Sequence, residues 1–230
     1  MSGRPDECEQ LLEYLAQFLT PRRRQLFDDR VRYRTRHLTV VLEDIYQSHN
    51  ASACLRSCDC FGVQDVHIIE NRYPFSPNRD IVLGAMQWLS VSKYSEQEHN
   101  TLQCYSVLRE RGYRIVATSP HEADCVLEEY DFRQKTALVF GTELEGISEI
   151  ARREADEILG IPLFGFTESL NISVAVAVCV HHLTWKLRSS DVPWQLPDEE
   201  MLAIKLDWVR RSLGKRREAL ERQFHEQHGR

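Results

Sequence analysis

The sequence contains no long hydrophobic run. No stretch of about 18 or more apolar residues occurs in its 230 residues, so we expect no transmembrane helix. The first residues, MSGRPDECEQ, include no apolar segment, which argues against a secretory signal peptide. The seven cysteines then indicate reduced thiols in a reducing compartment, and they predict a cytoplasmic protein.

Two common ligand signatures are also missing. No C-x-x-C pair occurs, and although Cys54 and Cys58 are spaced to share one helix face, with His49 nearby, further ligands of suitable spacing are lacking. Buried thiols are therefore favoured, and no metal is predicted. The turn after the first predicted strand lacks G-x-G-x-x-G, which disfavours an ordinary Rossmann nucleotide site.

Charge is distributed unevenly along the chain. The formal net charge is −6, yet Pro21–His37 contains seven arginines against two aspartates, and Val209–Arg230 contains seven basic residues against three glutamates. Basic ends on an acidic body form an electrostatic footprint that attracts phosphates, although solvated charged helices are the alternative. We expect the ends to bind RNA through Arg22, Arg23, Arg24, Arg210, Arg211, Arg216 and Arg217.

Short β-branched runs alternate with helical periods along the chain. Strands are predicted at residues 37–44, 63–70, 88–94, 114–119, 136–140 and 157–162. Ser48 or Asn50 is expected to cap the first helix between strands, and residues 124–133 form a connector that can hold a short helix. Residues 71–78 are predicted to be a loop. This alternation predicts an α/β fold with a mostly parallel sheet and helices on both faces.

The predicted organisation has three parts. Residues 1–37 form a basic helical N-terminal extension, residues 38–188 form the α/β domain, and residues 189–230 form a basic helical C-terminal extension. In the last part, Leu202, Leu206, Val209 and Leu213 make one apolar helical stripe, which the basic tail continues.

Three spaced motifs carry a resemblance to a known family. They are Asn50-x-Ser52-Ala53-x-x-Arg56, Gly141-x-Glu143-x-x-Gly146 and Ser169-Leu170-Asn171-Ile172-Ser173, in that order. Together they resemble the SPOUT superfamily, and within it the SpoU/TrmH group of RNA ribose 2′-O-methyltransferases, over Thr39 to Arg188. The helical extensions resemble those of the members that methylate guanosine 18 in the D-loop of tRNA.

The resemblance implies a fold, a cofactor and an oligomer. SPOUT domains carry a trefoil knot in the C-terminal half, a rare exception to unknotted chains, and they bind S-adenosylmethionine against the knot loops. By motif match, the cofactor-binding residues are Thr118, Phe140, Gly141, Ile161 and Leu170. The family is dimeric, and the active site draws on both subunits, so a homodimer is expected.

The resemblance also implies catalytic roles for Asn50, Arg56, Glu143, Ser169 and Asn171. A ribose 2′-hydroxyl is a poor nucleophile and needs a base and strict alignment with the methyl donor. In the mechanism proposed for the family, the arginine at the position of Arg56 acts as the general base with the help of a substrate phosphate. A guanidinium pKa above about 12 instead favours an orienting role.

The remaining catalytic candidates are expected to position groups. Asn50 would position Arg56 or the substrate across the dimer interface, and Glu143 and Asn171 would fix the loops and the ribose, with Ser169 hydrogen-bonded in the same network. These residues could instead have purely structural roles, Glu143 in forming a turn and Ser169 or Asn171 in capping a helix. No metal is required by this chemistry.

The favoured function is therefore S-adenosylmethionine-dependent methylation of a tRNA ribose, with guanosine 18 the preferred target. Methylation of rRNA or of another tRNA position is the first alternative, because Leu144-Glu145 looks closer to rRNA-modifying relatives. Those relatives commonly carry a separate RNA-binding domain, and fewer than 40 residues precede the first predicted strand here, which favours tRNA. The second alternative is a non-catalytic RNA-binding protein on the same scaffold. The target nucleotide stays open, because phosphate contacts do not read bases.

Overall fold

The computed structural model describes residues 5–76 and 84–228. The chain divides into two units, one formed by residues 35–194 and one formed by residues 1–34 together with residues 195–230. The predicted loop at residues 71–78 lies partly outside the described residues, as does Arg230 of the basic tail.

The first unit is built on a seven-stranded sheet. Its strands are β1 (Leu38–Glu43), β2 (Asp65–Ile69), β3 (Ser90–Tyr94), β4 (Arg114–Thr118), β5 (Cys125–Val126), β6 (Thr136–Phe140) and β7 (Glu157–Gly160). The strand order is β3-β2-β1-β6-β4-β7-β5, and every pairing between these strands is parallel. All residues of the central strands β1 and β6 are buried, as expected for a sheet covered on both faces.

Helices cover both faces of this sheet, which confirms the predicted α/β architecture. They are α3 (Ser48–Cys60), α4 (Asn100–Glu110), α5 (Glu149–Arg153) and α6 (Ile172–Arg188). Val40 and Leu42 of β1 pack in one core cluster with residues of α3 and α6, whereas Val41 packs in a second cluster with residues of α4 and α5. Because alternate residues of a strand point to opposite faces of the sheet, β1 contributes side chains to both hydrophobic clusters. The trefoil knot implied by the family resemblance stays a prediction.

Residues 124–133 differ from the prediction. They contain no helix; instead Cys125 and Val126 form β5 and pair with Leu159 and Gly160 of β7. The segment runs close to β7, since a Cβ atom at Gly160 would lie 2.8 Å from the Ala123 side chain. This tertiary pairing overrides the weak local helical preference.

The start of α3 also differs. Gln47, and not Ser48 or Asn50, occupies the N-cap position, and its side chain makes no capping hydrogen bond. Ser48 and Asn50 instead lie in the first turn. The Asn50 side chain therefore serves the polar cluster described below instead of the helix end.

The second unit contains four α-helices among its described residues: α1 (Pro5–Ala16), α2 (Pro21–Val31), α7 (Asp198–Leu213) and α8 (Arg217–Gln227). Thr20 caps α2 by accepting the Arg23 N–H at 3.3 Å. The basic tail does not continue α7, because Gly214 adopts a φ of +55° and separates α7 from α8. No helix of the described residues is long and apolar enough to cross a lipid bilayer.

Candidate active site

The candidate site lies at the carboxyl edge of the sheet. Because β1, β6 and β7 are parallel members of one sheet, the segments that follow them emerge at the same edge. These segments lead to Asn50 after β1, to Glu143 after β6 and to Asn171 after β7. Three motifs that are far apart in the chain are therefore brought together by the strand order.

Asn50, Glu143 and Asn171 form one hydrogen-bonded cluster. Asn171 Nδ2 donates to Glu143 Oε1 at 2.9 Å and to Asn50 Oδ1 at 3.3 Å. Asn50 Nδ2 donates to Glu143 Oε1 and, at 3.0 Å, to Gln47 Oε1. One carboxylate oxygen thus receives two amide donors. Asn50 is only 4% exposed, so its amide is held within the protein and partly shielded from water.

Asn171 also caps α6. Its Oδ1 accepts hydrogen bonds from the Ser173 backbone N–H at 3.0 Å and from Ser173 Oγ at 2.6 Å. The capping oxygen and the donating nitrogen belong to the same planar amide, so the cap fixes the direction in which Nδ2 points. Capping and participation in the site are therefore combined in this residue.

The loop that carries Glu143 is narrow and closed by backbone bonds. Thr142 N–H donates to the Gly146 carbonyl at 2.7 Å, and Gly146 N–H donates to the Thr142 carbonyl at 3.1 Å. A Cβ atom at Gly141 would lie 2.0 Å from the Gly146 carbonyl oxygen, so only glycine fits there. Gly146 adopts a φ of +70°, a conformation that glycine adopts readily.

A cleft of about 510 Å³ adjoins the polar cluster. It is lined by all five residues that sequence reasoning assigned to the cofactor, namely Thr118, Phe140, Gly141, Ile161 and Leu170. Glu143 and Ser169 line the same cleft. This volume lies within the range of small-molecule sites, which are commonly about 300–1,000 Å³.

Two predicted catalytic residues lie outside the hydrogen-bonded cluster. Arg56 is exposed on α3, and its guanidinium makes no hydrogen bond or ion pair within residues 5–76 and 84–228. Ser169 is exposed at the cleft, and in the same described ranges its hydroxyl forms no hydrogen bond. Asn50 and Arg56 of the same chain are not hydrogen-bonded to each other, and the expected positioning of Arg56 across a dimer interface stays a prediction. The structure therefore gathers three of the five candidates and leaves two facing solvent.

The cysteines of α3 are buried thiols. Cys54 and Cys58 have no exposed surface. Burial, together with the nearby negative charge of Glu143, raises the pKa of Cys54 to about 12. Such a thiol stays protonated at neutral pH and is a poor nucleophile and metal ligand. Within the described part of the chain, no group of three or more His, Cys, Asp or Glu residues is arranged to hold a metal ion.

Sequence reasoning missed a buried carboxylate that supports the site. Glu43, 2% exposed at the end of β1, accepts hydrogen bonds from Thr101 Oγ1 at 2.6 Å and from Ser148 Oγ and N–H at 2.9 and 2.8 Å. Ser148 in turn caps α5 directly after the Glu143 loop. The signal in the sequence was a carboxylate at the end of an otherwise apolar β-branched strand.

The arginines assigned to RNA differ in what they contact. Arg24 donates to the Gln17 and Leu19 carbonyls, Arg210 forms an ion pair with Glu221 at 2.6 Å, and Arg211 forms one with Asp207 at 2.7 Å. The guanidinium of Arg23 lies 6.0 Å from the Phe27 ring centroid. The side chains of Arg22, Arg216 and Arg217 are exposed, and among the described residues they form no hydrogen bond or ion pair.

Comparison with known proteins identifies the family of the chain. The model of the SpoU rRNA Methylase family matches residues 37–181. A tRNA (guanosine(18)-2′-O)-methyltransferase of Borreliella burgdorferi is 38% identical over 205 residues, which are 89% of this chain and 92% of that protein. The corresponding enzyme of Thermus thermophilus is 32% identical over 195 residues, covering 84% of this chain and 98% of its own.

A solved structure extends the likeness to the fold. The A. aeolicus TrmH/SpoU tRNA modifying enzyme has a TM-score of 0.74 at 27% identity, and the match covers 84% of this chain and 98% of that one. The matched family model spans most of the 35–194 unit, including the segments that supply Asn50, Glu143 and Asn171. The chain belongs to the SpoU rRNA Methylase family.

Proposed function

We propose that this protein is an S-adenosylmethionine-dependent methyltransferase that modifies the ribose 2′-hydroxyl of guanosine 18 in tRNA. The observation that carries the proposal is the hydrogen-bonded cluster of Asn50, Glu143 and Asn171, in which Glu143 also lines the cleft. The names of the two relatives that match this chain over most of its length support the substrate.

The cleft residues fit the cofactor. Gly141 lines the cleft without a side chain and lets the Gly146 backbone approach closely, and Leu163 and Leu170 offer apolar surface for an adenine ring. Of the carboxylates that line the cleft, Glu122 and Glu145 are ion-paired with Arg152 and Arg72. The remaining carboxylates, Glu143 and Glu149, carry negative charge that favours a cationic sulfonium. When bound, the cofactor supplies an activated methyl group, so the protein needs no metal for this step.

The polar cluster would position the substrate ribose. Glu143 Oε1 already receives amides from both asparagines, which leaves Oε2 available to accept a hydrogen bond from a ribose hydroxyl. The cluster is held by the α6 cap on one side and by Gln47 on the other. Such a preorganised group favours alignment of the hydroxyl with the methyl donor.

Arg56 would bind and orient the substrate. Its guanidinium is exposed, and within the described residues no carboxylate neutralises it, so it is available to a phosphate of the RNA. The phosphate would also place a weak base beside the 2′-hydroxyl. Arginine suits this role because its planar guanidinium matches the geometry of a phosphate.

We propose a homodimer, with the active site completed across the interface. The helix α6 carries an exposed stripe at Val174, Val178, His181 and Trp185, where Val174 is 45% and Trp185 is 68% exposed. Exposed apolar residues at helical spacing on one face are typical of an interface. A second copy of this chain would cover the stripe and could bring its Arg56 towards the cluster.

Substrate capture would rest on the basic ends, residues 1–37 and 189–230. Arg22, Arg216 and Arg217 are exposed and available for phosphate contacts, whereas four other arginines of these ends also make contacts within the protein. Those four are Arg23, Arg24, Arg210 and Arg211. We also propose that the protein is located in the cytoplasm.

The decisive experiment is methyl transfer from labelled S-adenosylmethionine to an unmodified tRNA transcript, with the product mapped by nuclease digestion. We expect 2′-O-methylguanosine at position 18, and no transfer with Arg56→Ala or with a transcript containing 2′-deoxyguanosine at that position. Label in rRNA fragments but not in tRNA would overturn the substrate. Cofactor binding without transfer to any RNA would favour a non-catalytic RNA-binding protein.

A further inference from the structure

Tyr46 and Tyr73 form an exposed aromatic pair that the proposed chemistry does not use. Their ring centroids lie 5.1 Å apart with an interplanar angle of 65°, an edge-to-face arrangement. Tyr46 is 71% and Tyr73 is 37% exposed. Paired aromatic rings that remain open to solvent are typical of a surface that is covered by a partner.

The pair lies at the same edge of the sheet as the candidate active site. Tyr46 follows β1 and Tyr73 follows β2, and these strands are parallel neighbours. Tyr46 directly precedes Gln47, which accepts the hydrogen bond from Asn50 Nδ2. Arg72, next to Tyr73, forms an ion pair with Glu145 at 2.5 Å and so ties this loop to the one that carries the catalytic carboxylate.

Asp44 holds the two tyrosine loops together. Its Oδ1 accepts the backbone N–H groups of Asn71, Arg72 and Tyr73 at 2.7, 2.8 and 3.4 Å, and its own φ is +53°. A non-glycine residue with a positive φ is strained, and such strain persists only where surrounding contacts enforce it. The aromatic pair is therefore preformed, which lowers the entropic cost of binding a ligand.

The charges around the pair favour a nucleobase over a phosphate. Glu143 and Glu145 lie in the adjoining loop, and the guanidinium of Arg72, beside Tyr73, is already paired with Glu145. Carboxylates repel a phosphate but not a neutral base, and an aromatic ring stacks on any base because every base has a π face.

We propose that Tyr46 and Tyr73 form a stacking surface for a nucleobase of the substrate RNA, next to the ribose that is methylated. The proposal rests on the function proposed above. Its consequence is that the enzyme binds the base region of its target loop with these rings, while the basic ends bind phosphates elsewhere on the RNA.

The test is equilibrium binding of a fluorescently labelled, unmodified tRNA transcript to the full-length protein. Tyr46→Ala and Tyr73→Ala are each expected to raise the dissociation constant roughly 5- to 150-fold, as loss of one stacked base does. Tyr46→Trp retains affinity and Tyr46→Leu does not. The matched control is Leu102→Ala, which removes a 37%-exposed apolar side chain from α4 and should leave affinity unchanged.

Transcripts that lack one base separate stacking from other contacts. With a base removed at guanosine 18 or at one of its two neighbours, wild-type affinity should fall to that of Tyr46→Ala, and the variant should lose nothing further. If removal of the base lowered the affinity of the wild type and of Tyr46→Ala by the same factor for all three transcripts, the stacking surface would be overturned. Dissociation of a wild-type dimer by Tyr46→Ala would also overturn it, in favour of a protein contact.

The two proposals fail in different ways. If the wild type methylates tRNA and both alanine variants bind it normally, the stacking surface is wrong and the function stands. If the wild type binds tRNA without methylating it and the alanine variants bind more weakly, the surface stands and the function is wrong. If the wild type neither binds nor methylates tRNA, both are overturned.

Discussion

The side-chain amide of Asn171 links Glu143 to the first turn of α6. Nδ2 donates to Glu143 Oε1 at 2.9 Å, while Oδ1 accepts the Ser173 N–H at 3.0 Å. The helix cap therefore sets the orientation of the group that holds the carboxylate. Loss of the capping oxygen Oδ1 should lower stability, whereas loss of the donor Nδ2 should lower activity.

Asn171→Asp is expected to retain the fold and to lose methyl transfer. Aspartate still caps α6, but it removes the donor and places a second negative charge beside Glu143. We expect a loss of about 100-fold in kcat/KM, the effect of misplacing a catalytic group, with a small change in Tm. The control, Ser173→Ala, keeps the capping backbone N–H and should retain most activity. Loss of folding in Asn171→Asp would instead make the residue chiefly structural.

Gly141→Ala and Gly146→Ala should differ sharply in cofactor binding. A Cβ atom at Gly141 meets the Gly146 carbonyl oxygen at 2.0 Å, so the loop must open, and we expect at least a tenfold weaker affinity for S-adenosylmethionine, or about 1.4 kcal/mol. At Gly146 a Cβ atom meets nothing within 4 Å, and only the positive φ is unfavourable, at about 1–2 kcal/mol of folding free energy. Calorimetric titration of both variants checks this order.

His67 should make the protein less stable in mild acid. Burial, and to a smaller extent the charge of Arg111, lowers the pKa of His67 from 6.5 to about 4. The unfolded state then binds a proton that the folded state does not, so stability is full above pH 6.5 and declines as the pH falls towards 4. Between pH 7 and pH 5 the loss is about 2 kcal/mol.

Urea unfolding at the two pH values measures this dependence. His67→Gln is neutral throughout and should remove this part of the decline, although it also alters the contact between His67 Nδ1 and the Tyr94 hydroxyl at 2.9 Å. An equal decline in the wild type and the variant would show that other groups cause it.

Val178→Glu should dissociate the proposed dimer. Val178 is 38% exposed on the α6 stripe, and a charge there would be desolvated in the interface. Sedimentation velocity should show a monomer with little methyl transfer. Leu102→Glu is the matched control, because Leu102 is 37% exposed on α4, away from that stripe. If both variants remain dimeric, α6 is not the interface.

Charge reversal at Arg216 and Arg217 should weaken tRNA binding without lowering stability. Both guanidinium groups are exposed. Each phosphate interaction that is lost should reduce the magnitude of the slope of log K against log salt by about 0.9. Arg210→Ala is the contrasting variant. Because Arg210 forms an ion pair with Glu221 at 2.6 Å, this substitution should lower the melting temperature as well as the affinity for tRNA. Unchanged salt dependence in the double reversal would exclude Arg216 and Arg217 from the RNA-binding surface.

The sheet could be predicted because its signals are local. Leu38–Glu43 and Thr136–Phe140 are short runs that contain β-branched residues, and the segments between the strands have helical hydrophobic periods. Both runs are fully buried strands in the structure. The strand Cys125–Val126 could not be predicted, since two residues carry no periodicity and the strand exists only through its pairing with β7.

The candidate site was predictable only in part. Asn50 and Glu143 are 93 residues apart, and no spacing rule connects them; the family resemblance did. Glu43 was missed because a carboxylate at the end of a strand gives no sign of the three hydrogen bonds that Thr101 and Ser148 will donate to it. The position of Arg56, exposed and apart from the cluster, depends on tertiary structure that local sequence does not encode.

The closed loop from Gly141 to Gly146 offers a place for a reporter group. The backbone bonds between Thr142 and Gly146 fix its length, so insertions should be tolerated poorly, yet the Leu144 side chain at its tip is 99% exposed. An environment-sensitive fluorophore attached at position 144 would sit beside Glu143, the proposed catalytic carboxylate, without displacing it. Such a probe would follow cofactor entry and RNA docking in real time, independently of turnover.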